Sequence, residues 1–280
     1  MNWRWGVSRL GMLVLVAAMS LSRVAMAQRW AATASAGVVH LSDTSSLNAV
    51  GGVLEYRALG WLTLGAAPTV VHRKVGTQTT SGFGDLPLTV AASKELGTAL
   101  GPELAAAVIL MVPTGNAACG LGSGLTSVGM DVGAGISPAD PLHLSVDASR
   151  SLSAVTLSAL DAPQSTWLDL DADVDLTRRL TASASLGGDF GGIDTAAAAR
   201  EIGAGARYTL GGPLAVSVDV THRLSGSAPT WGFAVTLGTV TGGPSPLDPN
   251  SPLWRQRQVF VGGVNPHGRG RGGTGSGTGC

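Results

Sequence analysis

Residues 166–176 read Thr-Trp-Leu-Asp-Leu-Asp-Ala-Asp-Val-Asp-Leu. Leu168, Leu170, Ala172, Val174 and Leu176 alternate with Asp169, Asp171, Asp173 and Asp175. A period of two puts each set on a single face of an extended strand. Wound into a helix, the same residues would scatter around the axis, so helix is excluded here. The reading is a strand with one apolar and one acid-bearing face, and the fold turns on what each face meets.

The pattern continues in both directions. Leu142, Leu144, Val146 and Ala148 alternate with His143, Ser145, Asp147 and Ser149, and Leu214, Val216, Val218 and Val220 with Ala215, Ser217, Asp219 and Thr221. Along the chain the strands fall at 29–40, 48–58, 61–72, 82–95, 101–112, 125–137, 142–152, 166–176, 180–190, 200–210, 213–222 and 230–240. Each is longer than the ~5–6 residues of an ordinary strand and suits the ~9–11 residues of a tilted membrane strand. Connections after even-numbered strands are short: 59–60, 96–100, 138–141, 177–179 and 211–212. Those after odd-numbered strands are mostly longer: 41–47, 73–81, 113–124, 153–165, 191–199 and 223–229. Outer-membrane barrels combine tight periplasmic turns with longer outer loops, and an even strand count leaves both termini in the periplasm. A soluble sandwich also alternates, but it buries its apolar face, uses shorter strands and needs no aromatic strand ends.

Aromatic placement is a separate check. Trp30, Tyr56, Phe190, Tyr208 and Trp231 lie near strand ends and share the apolar face by parity, as interfacial girdles do. Parity points Trp61, Phe83 and Trp167 inward, where they pack in the lumen unless a bulge turns them.

The termini read differently from the middle. Arg4 and Arg9 precede an apolar run from Leu10 to Ala18, and Ala25-Met26-Ala27 has the A-x-A form of a cleavage site. Residues 1–27 are therefore expected to be a signal peptide, with 28–241 the barrel. Residues 242–280 are rich in Pro and Gly, too poor in apolar surface to order themselves, and are expected to be a disordered periplasmic tail. Formal net charge is zero and no basic face appears, which argues against nucleic acid. Cys119 falls in an outer loop and Cys280 in the tail, on opposite sides of a membrane, so no bridge between them is expected. No His/Cys cluster has zinc spacing.

Two segments carry a resemblance. Gly82-Phe83-Gly84-Asp85-Leu86 opens strand four, and Pro113-Thr114-Gly115 ends strand five ahead of Gly120-Leu121-Gly122-Ser123-Gly124. This order resembles the outer-membrane proteins named for the MetA pathway of phenol degradation, a family of barrel transporters. The likeness spans 29–240 in layout and 82–137 in motif. It implies a pore for small molecules, aromatic ones included, and carries over no catalytic residues. Such barrels commonly finish on an aromatic strand terminus, whereas here about forty residues follow the last strand.

Candidate chemistry lies on the inward face. Parity places there Glu55, Arg57, Asp85, Glu95, Glu103, Asp131, Asp147, Asp169, Asp171, Asp173, Asp175, Glu201, Arg207 and Asp219, with acids in excess. The functional reading is a lumen that favours cations or binds a metal such as calcium; the bland reading is ordinary polar filling. Alternate residues on a strand stand ~6.8 Å apart, too far for one ion with ligands at ~2.3–2.6 Å to gather the row unaided. Strand five departs from this, since its inward residues Ala105, Ala107, Ile109 and Met111 are apolar. That suggests an apolar lining or a folded-in loop. His143 and Ser145 resemble the His-x-Ser pair of outer-membrane phospholipase A, a twelve-stranded barrel whose catalytic groups face lipid. Here parity sends both inward beside Asp147, with no Asn orienter on a neighbouring strand.

The expectation is thus an all-β, closed antiparallel transmembrane barrel of about twelve strands. It would sit in the Gram-negative outer membrane, in contact with lipid, delivered by the barrel-assembly machinery. It would pass small solutes without cofactor, metal or catalysis. A structural or adhesive barrel without an open pore is the alternative.

Overall fold

The computed structural model describes residues 30–42, 45–97, 101–154, 166–190, 200–211, 214–225 and 231–239. The expected signal peptide and tail lie outside the described residues. Twelve antiparallel strands close into one barrel. They are β1 Trp30–Ser42, β2 Ser45–Leu59, β3 in two segments Leu62–Ala66 and Thr69–Val75, and β4 in two segments Gln78–Phe83 and Leu86–Glu95. Then follow β5 Glu103–Val112, β6 Ser127–Ala139, β7 Leu142–Ala154 and β8 Thr166–Asp175. β9 Leu180–Phe190, β10 Arg200–Gly211, β11 Leu214–Ser225 and β12 Trp231–Thr239 complete the ring. Each strand pairs with its sequence neighbours, and β1 pairs with both β2 and β12. Closure runs from Thr33↔Gly238 to His40↔Trp231. It satisfies the last row of backbone donors and acceptors, which an open edge would expose.

The outward face explains why closure alone is not enough in water. Leu54, Leu64, Val90, Leu104, Val108, Met130, Val132 and Leu186 all project there and are well exposed. So large a continuous apolar surface needs a hydrocarbon surround. No described helix is long and apolar enough to cross a membrane; the crossing is made by strands.

Two breaks shape one sector. In β3 the break contains Pro68, which has no N–H for the ladder; its carbonyl accepts from Gly52 N at 3.2 Å. In β4 the break is Gly84-Asp85. Ala66 pairs with Leu88 on one side of it and Val70 with Phe83 on the other. Three residues separate Ala66 from Val70 in β3, four separate Phe83 from Leu88 in β4, and the extra residue is a bulge. Parity flips across it. Phe83 therefore faces outward and is 68% exposed, which corrects the inward placement that strict alternation implies. Trp61 sits in the β2–β3 turn, exposed, while Trp167 points inward and is buried.

Some loops are shorter than expected. The connection read at 73–81 is a hairpin: β3 runs to Val75, β4 starts at Gln78, and Gly76 turns with φ 61°. The β-branched residues of this stretch extend the ladder, and the left-handed glycine closes it tightly. β11 likewise runs past the expected end at His222 to Ser225.

Candidate functional site

The ladder fixes which side chains share the lumen. Glu55 stands opposite Ala31 and Gly65, Arg57 opposite Thr63, and Glu103 opposite Gly135. Asp131 pairs with Ala107 and Ser149, and Asp147 with Gly133 and Asp169. Asp171 lies between Ser145 and Ser185, Asp173 between His143 and Ser183, and Asp175 opposite Thr181. Arg207 lies between Thr181 and Ser217, and Asp219 between Gly205 and Ala234. Ile109 and Met111 of β5 face Gly129 and Ser127 on the same side. Glu103, Ser145, Asp147, Asp173, Thr181 and Ser217 are buried, while the intervening apolar residues are the exposed ones.

Hydrogen bonds tie the acids into the wall. Trp167 Nε1 donates to Asp169 Oδ2 at 2.6 Å, and Ser217 Oγ donates to Asp219 Oδ2 at 3.1 Å. Thr181 Oγ1 donates to Asp175 Oδ1 at 2.6 Å, while Arg207 Nη2 reaches Thr181 Oγ1 at 3.4 Å. Two inward bases escape the sequence reading. Arg223 lies opposite Glu201, with Nη2 3.9 Å from Oε2, and Arg73 lies opposite Thr80. Both fall in stretches read as loops, and the longer observed strands are what assign them a face. Among the described residues no group of acids and histidines is placed to hold a metal ion.

His143 is fully engaged. Its Nδ1 shares a 2.7 Å hydrogen bond with Ser137 Oγ, and its Nε2 lies 3.2 Å from Asp175 Oδ2. Neither nitrogen is left to act as base for Ser145. Ser137, His143 and Asp175 have the residue types of a triad, but the residue after Ser137 is Pro138. Proline offers no N–H there to stabilise an oxyanion.

The β5–β6 connection is the most structured connection described. Ala117–Cys119 form one 3-10 turn, capped by Asn116, whose Oδ1 accepts from Cys119 N at 3.3 Å, and by Gly120 at φ 67°. Asp85, in the β4 break, grips the two ends of this loop. Gly115 N donates to its Oδ1 at 3.1 Å, and Ser123 N and Oγ donate to its Oδ2 at 2.6 and 2.7 Å. Thr114 Oγ1 adds a bond to Gly84 O at 2.7 Å. Leu121 is buried and occupies the space where Gly82 has no side chain: a Cβ there would sit 2.8 Å from Leu121 Cδ1. Gly82 lies opposite Val71, itself opposite Ala49, on the inward face. The loop thus folds into the lumen against β3 and β4. A side chain at Gly115 would come within 2.6 Å of Leu121 O, and Gly120, beside the Arg73 guanidinium, holds a left-handed φ of 67°, so glycine suits both positions. Asp85 is accordingly a latch rather than an open lumen acid. Cys119 lies on this loop, and Cys280 lies outside the described residues.

Below the loop the wall is concave. A shallow recess is lined by Asp171, Asp173, Ser183, Arg207, Asp219 and Thr221, among others. Its depth comes from Gly203 and Gly205, where a side chain would collide with Ser185 and Asp219 respectively. Across the ring, β5 presents Ala105, Ala107, Ile109 and Met111. The lumen therefore has an acid- and hydroxyl-bearing side and an apolar side.

The aromatic residues mark two belts. Trp30 and Tyr56 meet with ring centroids 4.7 Å apart, and Tyr208 lies outward opposite Leu180, all at the rim where β1 begins. Trp231 stacks on His222 at 4.2 Å at the opposite rim. Phe190 ends β9 opposite Thr166; its side chain lies outside the described residues.

Solved structures share this architecture. The chain is similar to the COG4313 outer membrane channel from Pseudomonas putida F1, at 17% identity and a TM-score of 0.55, over 75% of this chain and 93% of that one. It is also similar to the KdgM porin solved in complex with oligogalacturonate, at 8% identity and a TM-score of 0.50, over 74% and 98%. At such identities the likeness shows the fold. No family model matches the chain, and no curated protein matches it.

Proposed function

We propose that the protein is an outer-membrane channel for passive passage of small solutes. The observation that carries this is the division of the wall: an apolar exterior, a polar interior with an open recess, and a loop folded inward to narrow the path. Residues 1–27 direct export and are removed, the barrel-assembly machinery inserts the remainder, and both termini face the periplasm. The loop motif at Asp85, Thr114, Gly115 and Ser123 supports kinship with the MetA-pathway transporters. Apolar or aromatic solutes would then travel along Ile109 and Met111, opposite the acidic wall. Glu55, Arg57, Glu103, Asp131, Asp147, Arg207 and the β8 row set the lumen field, and Trp30, Tyr56, Phe190, Tyr208 and Trp231 anchor the barrel at the interfaces. No catalytic role is assigned: His143 is spent on Ser137 and Asp175.

The test is conductance of the purified mature chain in planar bilayers, with uptake of aromatic acids against sugars in liposomes. Absence of both current and solute leak would leave only the structural or adhesive reading.

A further inference from the structure

The barrel wall confines its carboxylates to one face, while cationic groups stand on both. Every carboxylate in the described strands occupies an inward register position. Apart from the phenols of Tyr56 and Tyr208, the ionisable residues at outward register positions of those strands are bases: His40, His72, Lys74, Lys94, Arg150, Arg200 and His222. Of these, only Lys94 lies at the rim where β1 begins. The others lie toward the opposite rim, which carries the inward-folded loop. Arg150 stands outward between Met130 and Thr166, and Arg200 between Gly188 and Ser225. His222 stands opposite Ile202 and stacks on Trp231.

An outward side chain near the end of a membrane strand sits at headgroup depth. A guanidinium there matches a phosphate, which it binds through two parallel charge-assisted hydrogen bonds. Phosphate diesters would serve at either rim, yet the cations concentrate at one. In the orientation proposed above, on which this inference rests, that rim meets the outer leaflet, whose distinctive lipid is an acylated, phosphorylated disaccharide.

We propose that Arg150 on β7 and the Arg200–His222–Trp231 patch on β10–β12 bind the phosphates of lipid A. The patch offers a fork-shaped cation, a second donor on the imidazole and an indole to pack on sugar or acyl chain. Arg150 forms a separate contact on the far side of β8 and β9.

The test is native mass spectrometry of the intact barrel in detergent, titrated with diphosphorylated lipid A, dephosphorylated lipid A and phosphatidylglycerol. The parent should hold diphosphorylated lipid A in preference to both others. Combined Arg150→Ala, Arg200→Ala and His222→Ala should weaken that binding by about tenfold or more, the effect of losing at least one charge-assisted hydrogen bond. Lys94→Ala should leave it unchanged. Equal retention of phosphatidylglycerol, or triple-variant binding equal to the parent, overturns the proposal. Heat-modifiable gel migration confirms that the variants fold. Bilayer conductance, which these outward residues should not alter, reports separately on the channel reading, and protease shaving of whole cells reports on orientation.

Discussion

Replacing Asp85 with Ala should open the lumen. The carboxylate accepts three hydrogen bonds from the two ends of the inward-folded loop. A hydrogen bond to a charged group contributes roughly 1.5–3 kcal/mol. The three share one carboxylate that water can reach, so we take a net contribution of about 3 kcal/mol, near the value of one strong bond. That corresponds to about two orders of magnitude in the ratio of docked to released loop. Leu121 would still favour docking through its burial, by about 1.5–3 kcal/mol, so release should be frequent rather than complete. Single-channel recordings should show a larger or flickering open level. Thermolysin, which cuts before leucine, should cleave at Leu121 in the variant and spare the parent. Asp85→Asn keeps one carbonyl acceptor and should fall between them. An Asp85→Ala barrel with parental conductance and parental resistance to thermolysin would refute the latch.

Converting Asp169, Asp171, Asp173 and Asp175 to Asn should move the reversal potential in a salt gradient toward that of a non-selective pore; an unchanged potential removes the acidic wall from selectivity. Gly122→Ala places a Cβ against the Asp85 carboxylate and the Gly115 backbone, and should destabilise the loop by about 1–3 kcal/mol, read as thermolysin sensitivity at Leu121. Val108→Arg on the lipid face should cost about 2–4 kcal/mol in refolding titrations into bilayers if that position lies near the midplane, whereas Ala107→Arg, one residue away and inward, should escape that lipid-facing penalty.

The alternation of β7 through β12 was legible because hydrocarbon outside and polar groups inside both enforce the same period of two. Strand ends were less so. The tip of the hairpin Thr69–Phe83 is mostly polar on both faces where it leaves the membrane, and a bulge at Leu224 breaks the alternation at the end of β11, so hydropathy reads both as loop although their backbones remain paired. Arg73 and Arg223 were lost as lumen residues for that reason. Phe83 was misplaced because one extra residue at Gly84-Asp85 inverts everything beyond it, and no local composition distinguishes a bulge from a strand. The partners of Asp85 lie 30 and 38 residues away in sequence. The Gly82–Leu86 and Pro113–Gly115 motifs marked the meeting segments, but only the closed sheet shows that they touch.

The strict in–out alternation also limits how such a chain can change in length. Deleting one residue inside β8 would swing carboxylates into the bilayer and apolar side chains into the pore. Adding one strand would leave the last strand antiparallel to one neighbour and parallel to the other. Removing or duplicating a whole hairpin disturbs neither frame nor direction. The wall is thus quantised in units of two strands, and relatives of different girth should differ by hairpins rather than by scattered insertions within the staves.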